Sequence, residues 1–180
     1  MSLHVALLRA VNVGGTGKIA MAALKTWAEG LGFTSVRTLL QSGNLVFDAG
    51  GKAGHALEAL LEAEAASTLA LRTTFLVRDR REWGEAIAAN PFPEAARDDP
   101  GHLVLIALKQ APAAEAVKAL KSAVKGPEVV AAGTRHLYIT YPDGMGQSKL
   151  TIGLIEKMLG SRGTARNWNT VLKLETALKG

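Results

Sequence analysis

Apolar positions along the chain change period in a repeating order. Residues 3–10 form an apolar run interrupted only by His4 and Arg9, and its core, residues 4–8, reads as a buried strand. Met21, Leu24, Ala28 and Leu31 then recur at helical spacing, so a helix is expected over residues 20–31, stopped by Gly32. Residues 36–41 and 45–47 flank Ser42-Gly43-Asn44, which is turn chemistry, and residues 36–48 read as a tight hairpin. Gly50 and Gly51 break the chain. Leu57, Leu60, Leu61 and Ala65 share one face of a second helix, with Glu58, Glu62 and Glu64 expected mostly outside it. Residues 71–77 alternate sufficiently for a fourth strand. The order is β-α-β-β-α-β, the ferredoxin-like unit.

The same grammar returns further on. A helix over residues 80–89, carrying a half-buried Trp83, leads into a proline- and glycine-bearing linker over residues 90–101. A strand follows at residues 102–108, and then a helix at 113–124 opened by Pro112. Residues 128–131 and 135–140 pair across Ala132-Gly133-Thr134. Ser148 is expected to cap a helix ending at Gly160, and residues 164–166 form the last strand. A closing helix spans residues 168–178. The expected fold is α+β, a tandem duplication of ferredoxin-like units with antiparallel sheets and a C-terminal helix. The expected division is a first subdomain at 1–78, a helix and linker at 79–101, and a second subdomain at 102–180.

Composition narrows the classes of function. The chain has no cysteine, which removes disulfides, thiolate chemistry and cysteine zinc sites. No stretch approaches the roughly 20 apolar residues of a membrane span. Residues 1–20 lack a signal-peptide pattern, because Arg9, Asn12 and the glycines interrupt the apolar stretch, so a cytoplasmic setting is expected. The net charge is +5, and residues 145–180 hold six Lys and Arg against two Glu. Such a basic end suits a phosphate-bearing partner.

Candidate chemistry falls in three polar clusters. The first surrounds a strand-to-helix turn: Arg9, Asn12, Gly14, Gly15 and Lys18. Backbone N–H groups at a helix start lack intrahelical partners and favour anions. The turn is not a P-loop, since Asn12 holds the place of the first glycine and Ile19 that of the magnesium-binding hydroxyl, and the dinucleotide pattern is absent as well. The second cluster is Gln41, Ser42 and Asn44 on the hairpin. The third holds Ser148 and Lys149 together with Arg166 and Asn167. Plain capping competes with ligand binding at Ser148 and Asn167. No catalytic constellation emerges. The four histidines show no metal-ligand spacing, and Ser148 and Lys149 would diverge by about 100° on a helix. No cofactor is indicated.

The segments Leu8-Arg9-Ala10-Val11-Asn12-Val13-Gly14-Gly15 with Lys18 and Met21, Gln41-Ser42-Gly43-Asn44-Leu45-Val46-Phe47, Ser148-Lys149-Leu150, and Thr164-Ala165-Arg166-Asn167-Trp168-Asn169-Thr170-Val171 with Lys173-Leu174 occur in that order. Together they resemble the bacterial domain-of-unknown-function family 1697 (DUF1697) over residues 3–179. Ala10 departs from the family, which commonly has glycine there. The resemblance implies a tandem ferredoxin-like fold and no particular activity.

The leading expectation is therefore a protein that binds a small phosphate- or carboxylate-bearing ligand, with charge from Arg9, Lys18, Lys149 and Arg166 and orientation from Asn12, Ser42 and Asn44. Two alternatives differ in class: a nucleic-acid-binding protein using the basic C-terminal region, and a structural or interaction module without a ligand.

Overall fold

The computed structural model describes residues 2–13 and 17–180. Its elements are β1 (Leu3–Leu8), α1 (Met21–Gly30), β2 (Thr34–Leu39), β3 (Asn44–Asp48), α2 (Gly54–Thr68), β4 (Phe75–Asp79), α3 (Arg80–Ala88), α4 (Pro93–Asp98), β5 (Leu103–Leu108), α5 (Ala114–Ala123), β6 (Val129–Ala132), β7 (His136–Thr140), α6 (Ile152–Leu159), β8 (Gly163–Asn167) and α7 (Trp168–Lys179). The strands form two four-stranded antiparallel sheets ordered β2-β3-β1-β4 and β6-β7-β5-β8. The tandem ferredoxin-like reading is thus the observed architecture. One compact unit comprises Met1–Glu85 with Leu174–Gly180, and the other Ala86–Lys173.

The central strands β1 and β5 are buried at all six positions, which is why each reads as a nearly unbroken apolar run. In the first unit Ala6, Leu8, Phe47, Phe75 and Val77 meet Leu24, Trp27, Leu57 and Leu61 from α1 and α2. In the second, Val104, Ile106, Leu108, Leu137 and Ile139 meet Leu120 of α5 and Ile155 of α6. Residues of the opposite parity, among them Val5, Leu7, Val46, Leu76, Leu105 and Tyr138, are buried too.

Several expectations need correction. Residues 71–74 are not strand. α2 closes with Ala70 at φ 51°, and the Leu71 N–H returns to the Ala65 carbonyl at 3.1 Å. The backbone there satisfies the helix end, so β4 starts only at Phe75. The linker at 90–101 holds α4 and a 3-10 turn at Pro100–His102, the former with Pro93 at its first position, where no N–H is needed. Ala113, not Pro112, is the residue at the start of α5. Trp83 is 1% exposed, a core residue rather than a half-buried one.

Glu58 is the most informative miss. It is fully buried. β4 is an edge strand, and its outward N–H groups need acceptors. Glu62 accepts from Phe75 N (3.0 Å), Glu58 from Val77 N (2.9 Å) and Glu82 from Asp79 N (2.9 Å). His55 Nδ1 lies 2.9 Å from the second Glu58 oxygen, and Arg78 Nη1 lies 3.8 Å from the first. In the second sheet the edge strand β8 repeats the device, with Gly163 N donating to Glu156 of α6 at 3.1 Å. The arginines repeat as well. Arg78 is the fourth residue of β4 and lies opposite Val5, and Arg166 is the fourth residue of β8 and lies opposite Leu105. Each is buried, and each donates to the carbonyl of the preceding residue at 2.8 Å.

Candidate functional site

The turn after β1 is closed by one side chain. Asn12, at φ 56°, donates through Nδ2 to the Ile19 carbonyl (3.0 Å) and to the Gln41 carbonyl (2.9 Å), while its Oδ1 accepts from Ile19 N (2.9 Å). The Asn12 N–H adds a bond to Gly17 O at 3.1 Å. One amide therefore pinches the neck of the loop and ties it to the β2–β3 hairpin. Asparagine tolerates the left-handed backbone there better than other residues with a side chain. Gly14 and Gly15 lie outside the described residues.

The hairpin is braced in the same way. Asn44 is fully buried, and its Nδ2 donates to Leu39 O (2.8 Å) and Ser42 Oγ (2.9 Å). Leu8 N donates to Gly43 O at 2.9 Å, so the hairpin tip lies against the end of β1. Arg9 is half-buried, with its N–H on Thr74 O and its carbonyl accepting from Thr73 Oγ1 at 2.6 Å. Lys18, Gln41 and Ser42 are exposed. α1 then begins at Met21 with no side-chain cap and no acidic residue in its first turn. The first two clusters thus adjoin, as ferredoxin-like strand order requires of β1 and β3. Asn12 and Asn44 hold the loops, while Lys18 and Ser42 present polar groups to solvent beside them.

Backbone conformation is concentrated at the same place. Of the five non-glycine residues with positive φ among those described, Ala10, Asn12 and Leu40 belong to these two loops. Ala10 has φ 53°, which gives a physical reason for glycine at that position. Residues held in such regions cost about 1–3 kcal/mol each and persist where the surroundings over-determine them.

The third cluster lies in the second unit and disperses. Arg166 is buried, and its Nη1 donates to Thr164 Oγ1 and Ala165 O, both at 2.8 Å. Burial pushes its pKa down to about 10, which still leaves it charged at neutral pH. Asn167 caps α7 by accepting from Thr170 N at 3.0 Å. Ser148 does not cap α6. That role belongs to Thr151, which accepts from Leu154 N at 3.2 Å, because Ser148 sits too early and its hydroxyl is engaged with Leu150 N and Glu128. Ser148 and the exposed Lys149 line a cleft of about 490 Å³. Glu128, also on that wall, was missed by sequence reasoning, and nothing in its local pattern marks it. Among the described residues no three His, Asp or Glu side chains come together as a metal site. No helix among them is long and apolar enough to cross a membrane.

A family model described as a protein of unknown function (DUF1697) matches residues 1–138. The chain belongs to that family. The DUF1697 match takes in both adjoining loops and ends at Tyr138, so Ser148, Lys149, Arg166 and Asn167 fall beyond it. The solved structure of a conserved bacterial protein from Streptococcus pneumoniae is similar at a TM-score of 0.78 and 20% identity, with 98% of each chain covered. At that identity the likeness shows the fold alone, over nearly the whole chain. No curated protein sequence matches the chain.

Proposed function

We propose that the chain binds a small phosphate- or carboxylate-bearing ligand at the turn following β1. The reading rests on the brace made by Asn12, which joins the glycine turn to the hairpin beside a helix start with neither side-chain cap nor acidic residue. An uncapped helix start offers free N–H donors and the positive end of the dipole, and one anion can satisfy both. Lys18 adds an exposed charge beside the turn, Ser42 a hydroxyl, and Arg9 a second cation. Asn12 and Asn44 act by positioning the loops rather than by touching the ligand. Binding, with no reaction specified, is the function proposed, in a cytoplasmic setting.

Thermal-shift and calorimetric titration with inorganic phosphate, sugar phosphates and nucleotides tests this reading. A ligand at 100-fold its dissociation constant adds about 2.7 kcal/mol of stability. Lys18→Ala, an exposed change, should leave the ligand-free midpoint within about 0.5 kcal/mol of wild type while removing the response. Short RNA or DNA binding instead, with affinity falling linearly in log salt, would replace this reading with the nucleic-acid one. That alternative is weakened by the loss of Arg166 to the interior and by the pairing of Lys179 with Glu175 at 2.8 Å.

A further inference from the structure

The cleft in the second unit carries charges of both signs. It is walled by the C-terminal end of α5 and the loop after it, by the connection from β7 to α6, and by Leu154. Lys125, Lys149, Glu128 and Asp143 line it, and none of the four forms an ion pair among the described residues. Val124, Pro127, Leu150 and Leu154 supply an apolar wall. The volume of about 490 Å³ lies within the range of small-molecule sites.

Glu128 is held rather than free to swing out. Its Oε1 accepts the Ser148 hydroxyl at 2.5 Å. Its Oε2 folds against Gly126 so closely that an added Cβ there would come within 2.5 Å of it. A half-buried carboxylate fixed without a counter-cation is a prepared site for an ammonium group. The adjoining end of α5 favours positive charge too. The two lysines beside it would meet a carboxylate. A simple anion would be repelled by Glu128 and Asp143, and a simple cation by the lysines.

We propose that this cleft binds a small zwitterion with an apolar body, a hydrophobic amino acid or dipeptide, its ammonium on Glu128 and its carboxylate between Lys125 and Lys149. Isothermal titration with leucyl-leucine, N-acetyl-leucyl-leucine, leucyl-leucinamide and free leucine tests this. Leucyl-leucine or leucine should bind, and blocking either terminus should weaken binding about tenfold or more, the worth of one charge-assisted contact. In Glu128→Gln the penalty for N-acetylation should vanish, and in Lys149→Met the penalty for amidation should shrink, as coupled pairs require. Lys18→Ala, in the other unit, should change neither. Equal binding of all the peptides, or no heat from leucyl-leucine or leucine at millimolar concentration, overturns the proposal. The wild-type peptide series and Lys149→Met decide it even if Glu128→Gln folds poorly.

Discussion

A matched pair of glycine substitutions isolates what holds the two loops together. Gly32 and Gly43 have nearly the same positive φ, 86° and 84°. A methyl group added at Gly32 meets nothing within 4 Å, whereas at Gly43 it lands 2.4 Å from Val11 Cγ2 and 3.0 Å from Leu8 Cβ. Leu8 and Val11 are buried at 0% and 2% exposure, so neither can move into solvent. A left-handed backbone costs a non-glycine residue about 1–2 kcal/mol, partly offset by about 0.4–1 kcal/mol from the stiffer unfolded chain. Both contributions apply to Gly32→Ala and to Gly43→Ala, and at matched φ they largely offset each other in the comparison. What remains is the overpacking, about 1–3 kcal/mol, at Gly43 alone. Gly32→Ala should therefore cost about 1 kcal/mol and Gly43→Ala about 2–4 kcal/mol. Urea denaturation reads the difference as a shift in midpoint at constant slope. Equal losses would refute the close approach of hairpin tip and β1.

Asn12→Ala removes two donated bonds and one accepted bond and should cost about 2–4 kcal/mol by urea denaturation, at about 0.5–1.5 kcal/mol per bond; a loss under about 0.5 kcal/mol means the brace is not there. Ala10→Gly relieves a left-handed alanine and should be neutral or stabilising by up to about 1 kcal/mol, and clear destabilisation would contradict the φ of 53°. Both tyrosines are buried, and burial holds Tyr138 up at about 12 and Tyr141 higher still, the latter aided by the Glu128 charge. Their folded values exceed the unfolded one, so their contribution to stability is complete below about pH 10 and is lost as pH climbs toward 12. Arg166 acts in the opposite sense, since its lowered value means stability is gained above pH 10. Tyrosinate absorbance reads the phenols alone, and a half-transition near pH 10 in folded protein would contradict their burial.

Strand order and core were legible because they depend on periodicity. β1 and β5 read as buried runs, and the hairpin announced itself through Ser42-Gly43-Asn44. The adjacency of the first two clusters followed from strand order alone. The brace did not. The partners of Asn12 are backbone groups at Ile19 and Gln41, and a backbone carbonyl has no letter in the sequence. By sequence Glu58 reads as a solvent-facing charge because it flanks Leu57. One of its partners is an N–H on an edge strand, a need that appears only once β4 is known to end the sheet. By sequence Arg166 belongs with the basic tail, although strand register puts it opposite the buried Leu105. Its likeness to Arg78 became visible only when β4 and β8 could be laid over each other.

The last segment of the first unit has a consequence for synthesis. Residues 174–180 belong with residues 1–85, and Leu174, Ala177 and Leu178 are buried. A ribosome finishes β1 to β4 long before it reaches Leu174. At about 5–20 residues per second, the intervening stretch of roughly 90 residues takes on the order of 4–18 s to translate. Through that interval the first unit lacks its last segment, while the whole of the second unit emerges. The half of the chain that is made first is the half that is finished last.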